Sequence, residues 1–116
     1  MASTIGVWKI FDAEVIGAGG TATSAPIEMG TALALALHVN SIAGTTEDVT
    51  FTYSLGNTRD DTFIIPSSPA TIGANIGAVD VLDFAPELAK YIKIIATNND
   101  VAGVTLTATL TVQENS

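Results

Sequence analysis

Between Val104 and Gln113 the chain alternates without a break, with Val104, Leu106, Ala108, Leu110 and Val112 set against Thr105, Thr107, Thr109 and Thr111. Successive side chains of a strand point to opposite faces of a sheet, whereas a helix would scatter these apolar residues around its circumference. The period of two commits this stretch to a β-strand with one buried and one solvated face. Such a strand needs sheet neighbours for its backbone and an apolar layer against its buried face, which excludes an all-helical fold. The preceding run repeats the pattern, with Ile92, Ile94 and Ala96 on one face and Tyr91, Lys93 and Ile95 on the other. Asn98-Asn99-Asp100 and Gly103, between the two runs, tolerate turn geometry, so a terminal hairpin is expected.

The rest of the chain reads the same way. Residues 7–15 are rich in β-branched and aromatic side chains and predict a strand, bent because simple alternation cannot assign both Trp8 and Phe11 to one face. Gly17 to Thr23, with three glycines in four positions, predicts a flexible loop. Residues 24–29 form a short strand whose Pro26 cannot donate to a ladder and so belongs at a sheet edge. From 31 to 40, Leu33, Leu35, Leu37 and Val39 oppose Ala34, Ala36 and His38; Leu and Ala favour a helix on propensity, but the period of two decides for a strand. Residues 48–55 place Val49, Phe51, Tyr53 and Leu55 against Thr50, Thr52 and Ser54. A turn over 56–61, a short strand at 62–65 stopped by Pro66, a loop over 67–77 and a strand at 78–84 complete the pattern. A single helical turn at 85–89 leads into the last two strands. About eight short strands and no long helix, punctuated by Gly, Pro, Asn and Asp, indicate an all-β antiparallel two-sheet sandwich, jelly-roll-like, with an immunoglobulin-like sandwich as the alternative.

At 116 residues the chain is expected to be one domain spanning 1–116. It carries 12 acidic and 4 basic residues, a net charge of -8, and such a chain repels phosphate backbones; no nucleic-acid partner is expected. With no cysteine it has neither disulfides nor thiolate metal or redox sites. Met1-Ala2-Ser3-Thr4 lacks the positive and apolar regions of a signal peptide, and no run approaches a membrane span, so a soluble chain without a membrane partner is expected. Only 14% of residues are charged, which leaves much of the surface to Thr, Ser, Ala, Asn and Gly and suggests that partners cover part of it.

Little in the chain is suited to catalysis. His38, the single histidine, lies on the Ala34–Ala36 face, where a surface position or a hydrogen bond between sheets is expected rather than general-base work. No nucleophile-elbow, zincin or phosphate-loop spacing occurs, and neither a cofactor nor a metal site is expected. The carboxylate pairs Glu47-Asp48, Asp60-Asp61 and Asp80 with Asp83, and the Asn98-Asn99-Asp100 turn, are read as turn formers rather than as a glycosidase pair or a calcium loop. On periodicity Phe51, Tyr53 and Phe84 are core. That leaves Trp8 and Tyr91 as the aromatics able to stack on a sugar, and for Trp8 core or interface packing is the expected use.

The segments Ser24-Ala25-Pro26-Ile27-Glu28-Met29-Gly30, Leu33 to Val39, Val49-Thr50-Phe51-Thr52-Tyr53-Ser54, and Ala89-Lys90-Tyr91-Ile92-Lys93-Ile94 running into Val104 to Gln113 together resemble small β-sandwich structural proteins of tailed-bacteriophage particles, of the head decoration or cement type. The resemblance implies a non-enzymatic virion protein that stabilises the capsid through many weak subunit contacts. It implies the major capsid protein as partner, a homo-oligomer with a trimer favoured, synthesis in the host cytoplasm and a place on the capsid surface. It also makes the apolar segment Ala2 to Phe11 a contact arm, with residues 1–8 extended and Ile5, Val7, Trp8 and Phe11 as interaction residues. A tail or fibre-associated sandwich and a carbohydrate-binding module are the alternatives.

Overall fold

A computed structural model of the chain describes residues 3–29, 32–43, 49–59, 62–67, 80–84, 89–99 and 103–115. These residues form eight strands: β1 (Ser3–Ile16), β2 (Thr21–Thr23), β3 (Ile27–Glu28), β4 (Ala32–Ala43), β5 (Val49–Gly56), β6 (Asp80–Phe84), β7 (Tyr91–Asn98) and β8 (Val104–Asn115). One sheet has the order β1-β8-β4-β6. In the other, β7 is central, with β5 along one side and β2 then β3 along the other. Every pairing is antiparallel.

The pairings are nested. β1 joins β8, β2 and β3 join β7, β4 joins β6, and Leu55 of β5 bridges to Ile64. Nesting of this kind is one long hairpin, and rolling it so that its pairs fall alternately in two sheets produces a jelly roll. An immunoglobulin-like sandwich would instead keep its first two strands as neighbours in one sheet; here the first two strands lie in different sheets.

The apolar faces of both sheets meet in the middle. Leu35, Leu37 and Val39 of β4 and Leu106, Ala108, Leu110 and Val112 of β8 face Val49, Phe51 and Tyr53 of β5 and Ile92, Ile94 and Ala96 of β7, all of them buried. At about 1.5–3 kcal/mol for each large apolar side chain removed from water, this layer is the main stabilising term. The threonines of β8 stay half-buried on the opposite face, as their alternation requires.

The expected terminal hairpin does not form. β7 and β8 lie in different sheets, so the chain after Asn98 arches across the sandwich. Two amphipathic strands joined by a short turn can pair edge to edge or turn their apolar faces toward each other, and alternation alone does not distinguish the two. Burial decides here, because the arch lets Ile92, Ile94 and Ala96 share one core with the inward residues of β8. The corner is fastened by Asn98, whose Nδ2 donates to the carbonyls of Ile16 at 3.0 Å and Gly17 at 3.1 Å, while its backbone N–H donates to Gly20 O at 2.9 Å.

The bend expected in the first strand takes the form of two bulges. Lys9 is opposite Thr109 and Phe11 opposite Ala108, so one residue is extra between them, and a second extra residue lies between Phe11 and Glu14. The first bulge resets the parity, which puts both Trp8 and Phe11 opposite inward-facing residues of β8. In the second, Ala13 adopts a left-handed φ of 51° and its N–H is taken up by Thr107 Oγ1 at 3.0 Å. Residues 3–8, the described part of the expected arm, are paired with β8 from Ser3 onward and form an edge strand of the sandwich.

Other differences are local. Residues 21–23 of the expected loop are strand β2, and the strands at β4 and β1 run longer than expected. Residues 62–65 contribute only the Ile64 bridge. The helical turn at 85–89 and most of the 67–77 loop lie outside the described residues, as does the Phe84 side chain. Pro26 does sit at an edge: β2 and β3 are two pieces of one margin, and Ser24 between them both donates its N–H to Ile94 O and accepts the Ile94 N–H on its Oγ, each at 2.9 Å.

Candidate functional site

Two surfaces stand out, and β1 borders both. The first is the outward face of the β1-β8-β4-β6 sheet. Down its middle run Thr105, Thr107, Thr109, Thr111 and Gln113 of β8, half-buried by their neighbours. Ala36 and His38 of β4 stand opposite Thr111 and Thr109, Val7 of β1 is also opposite Thr111, and Val81 of β6 is opposite His38. Val7 is 63% and Val81 52% exposed. In the same register Asp83 of β6 is opposite Ala36 and Lys9 of β1 is opposite Thr109. The Lys9–Asp12 ion pair, 3.7 Å long and open to solvent, marks the margin of the face. The centre of the face, along β8, is a row of hydroxyl and methyl groups.

The second surface is a cleft of about 430 Å³ on the open side of the sandwich, where the margin of one sheet meets the margin of the other. Trp8, Lys9 and Ile10 come from β1, Ala25, Pro26, Ile27 and Glu28 from the β2–β3 margin, and Arg59 from the turn after β5. Trp8 is 38% exposed. Its six-membered ring occupies the space that a side chain at position 6 would need: a Cβ on Gly6 would overlap it. Only glycine at position 6 leaves the ring where it is.

The expected interaction residues are divided by this geometry. Val7 lies on the outward sheet face and Trp8 at the cleft, on opposite sides of β1. Phe11 is 2% exposed and belongs to the core, because the bulge before it turns it inward. Ile5 is opposite Gln113 in the strand register, and its side chain lies outside the described residues. Tyr91 is half-buried with Lys90 Nζ 5.9 Å from its ring centre, and Lys93 Nζ stands 4.2 Å over Phe63. Phe51 and Tyr53 are core, as expected.

His38 is half-buried on the outward face, in register with Thr109 on one side and Val81 on the other. Glu47, Asp48, Asp60, Asp61 and Asp100 lie outside the described residues, as do the side chains of Asp80 and Asp83. Among the described residues no three His, Cys, Asp or Glu side chains gather to hold a metal ion. Among them, too, no helix is long and apolar enough to cross a membrane. Arg59 and Asn98 read in sequence only as turn residues; one lines the cleft and the other fastens the arch, and no local pattern marks either role.

The fold is shared with solved structures, while no protein-family model and no curated protein sequence matches this chain. The crystal structure of the SPBc2 prophage-derived protein YomS has a TM-score of 0.59 at 7% identity, covering 98% of this chain and 96% of that one. The Cyanophage Pam1 capsid asymmetric unit contains a chain with a TM-score of 0.51 at 14% identity, covering 96% of this chain and 82% of that one. The infectious bursal disease virus VP2 subviral particle gives a TM-score of 0.56 at 14% identity, covering 97% of this chain and 33% of that one. At such identities the likeness is one of fold. The shared fold is an all-β sandwich of two antiparallel sheets.

Proposed function

We propose that this protein is a non-enzymatic component of a phage virion, a decoration or cement protein that binds the capsid surface through the outward face of the β1-β8-β4-β6 sheet. The observation that carries the reading is that face: a central row of threonines flanked by Ala36, Val7 and Val81, on a chain rich in acid. Hydroxyl and methyl groups cost little to desolvate compared with carboxylates, and a sheet face suits repeated shallow contacts. Each contact is weak, but copies spread over a symmetric shell multiply it. The major capsid protein is the partner in this reading, and a trimer over a local three-fold position is the favoured assembly. The fold likeness to a cyanophage capsid component and a viral particle protein supports it.

The test is the number of copies of this chain per purified particle, measured by gel densitometry against the major capsid protein. Hundreds of copies in a simple ratio to the capsid subunit are expected. A handful would assign the protein to the tail or a fibre, and complete absence would refute a virion role. In the same particles Thr109→Glu, which sets a carboxylate in the middle of the outward face, is expected to reduce occupancy at least tenfold while leaving the sandwich folded. Unchanged occupancy would remove this face from the reading.

A further inference from the structure

The cleft beside Trp8 departs from the charge balance of the rest of the molecule. The chain has 4 basic residues against 12 acidic ones, yet two of the four, Lys9 and Arg59, line this one opening. Lys90 and Lys93 are placed elsewhere, against the rings of Tyr91 and Phe63. Lys9 touches Asp12 only at 3.7 Å and in the open, where an ion pair contributes little. Among the described residues Arg59 has no ion-pair partner.

Trp8 supplies a platform that is already in position. Its ring lies over the backbone at Gly6, which backs one side of the indole. Ile10, Pro26 and Ile27 extend the apolar wall, and Glu28 adds a hydrogen-bond acceptor. The volume of about 430 Å³ falls within the roughly 300–1,000 Å³ usual for small-molecule sites.

We propose that this cleft binds a sugar residue bearing a single carboxylate, of the uronic-acid type. A pyranose ring presents an apolar C–H face that lies on an indole, with hydroxyls at its rim for Glu28 to accept from. The sugar carboxylate matches the paired N–H donors of the Arg59 guanidinium. A long polyanion suits the site less, because the net charge of -8 repels it beyond the reach of two cations. The proposal rests on the cleft alone and stands or falls independently of any virion role.

Trp8 is the only tryptophan, so its fluorescence reports on the cleft without interference. The experiment is a titration of the full chain with a glucuronyl-glucose disaccharide, followed by Trp8 emission and by calorimetry, with glucosyl-glucose and a glutamyl-glutamate dipeptide as comparison ligands. Saturable binding of the acidic sugar is expected, at least tenfold tighter than the neutral one. Arg59→Gln should weaken it roughly tenfold, the loss expected for a hydrogen bond to a charged group. Trp8→Ala, followed by calorimetry, should abolish it. Absence of saturable binding, or equal binding of the neutral disaccharide, overturns the proposal. Equal or tighter binding of the dipeptide also overturns it, assigning the cleft to peptide carboxylates.

Discussion

Replacing Asn98 by alanine is expected to destabilise the protein by about 2–4 kcal/mol, a large effect for a residue whose neighbours in sequence are turn formers. The Asn98 side chain is fully buried at the corner where β7 leaves one sheet and β1 ends in the other. Its amide donates two hydrogen bonds, at 3.0 and 3.1 Å, to the carbonyls of Ile16 and Gly17. Alanine removes both donors and leaves the Ile16 carbonyl buried without its partner. A buried polar group stripped of its partner costs about 1–3 kcal/mol, and the part-buried Gly17 carbonyl adds a smaller amount. Against a typical total of about 5–15 kcal/mol this is a substantial fraction. For a domain of this size each kcal/mol lowers the melting temperature by roughly 4 °C, so a drop of about 8–16 °C is expected by circular dichroism. Asn98→Asp provides the sharper comparison. It keeps the shape but points carboxylate oxygen at two carbonyl oxygens, so at pH 7 it should be less stable than the alanine variant. If alanine costs less than about 0.5 kcal/mol, or if aspartate is the milder change, then Asn98 does not clamp the corner and the reasoning fails.

Two further substitutions probe the sandwich itself. Leu37 and Leu110 are fully buried and stand opposite each other across the β4–β8 pair, so Leu37→Ala should cost about 2–5 kcal/mol in chemical denaturation; a cost below 1 kcal/mol would mean the two sheets do not pack as described. Ala13, with its φ of 51°, is a position where glycine removes the penalty on Cβ, so Ala13→Gly should be neutral or stabilising by up to about 1 kcal/mol. A loss of more than 1 kcal/mol in equilibrium unfolding would contradict the left-handed bulge.

Alternation of apolar and polar residues determined most of the strands and most of the core, because burial of one face of a strand is written directly into a period of two. The Val104–Gln113 and 91–97 runs, the Leu35-Leu37-Val39 face and the Phe51-Tyr53 face are all legible this way, and each is buried as expected. Pro26 announced an edge for a reason equally local, its missing N–H. What the pattern does not contain is the partner of each strand. The same two runs form a hairpin or an arch depending on where a second apolar layer lies, and only the assembled core, with Asn98 buried beneath the corner, decides for the arch. The candidate sites were less legible still. Phe11 and Trp8 look alike in sequence, yet one extra residue between Lys9 and Phe11 helps send the first into the core and leaves the second at the mouth of a cleft. Arg59 reaches that cleft from a turn some fifty residues away along the chain. Strand identity is set by neighbours along the chain, whereas register, bulges and clefts are set by neighbours in space, and those exist only once the two sheets have closed on each other.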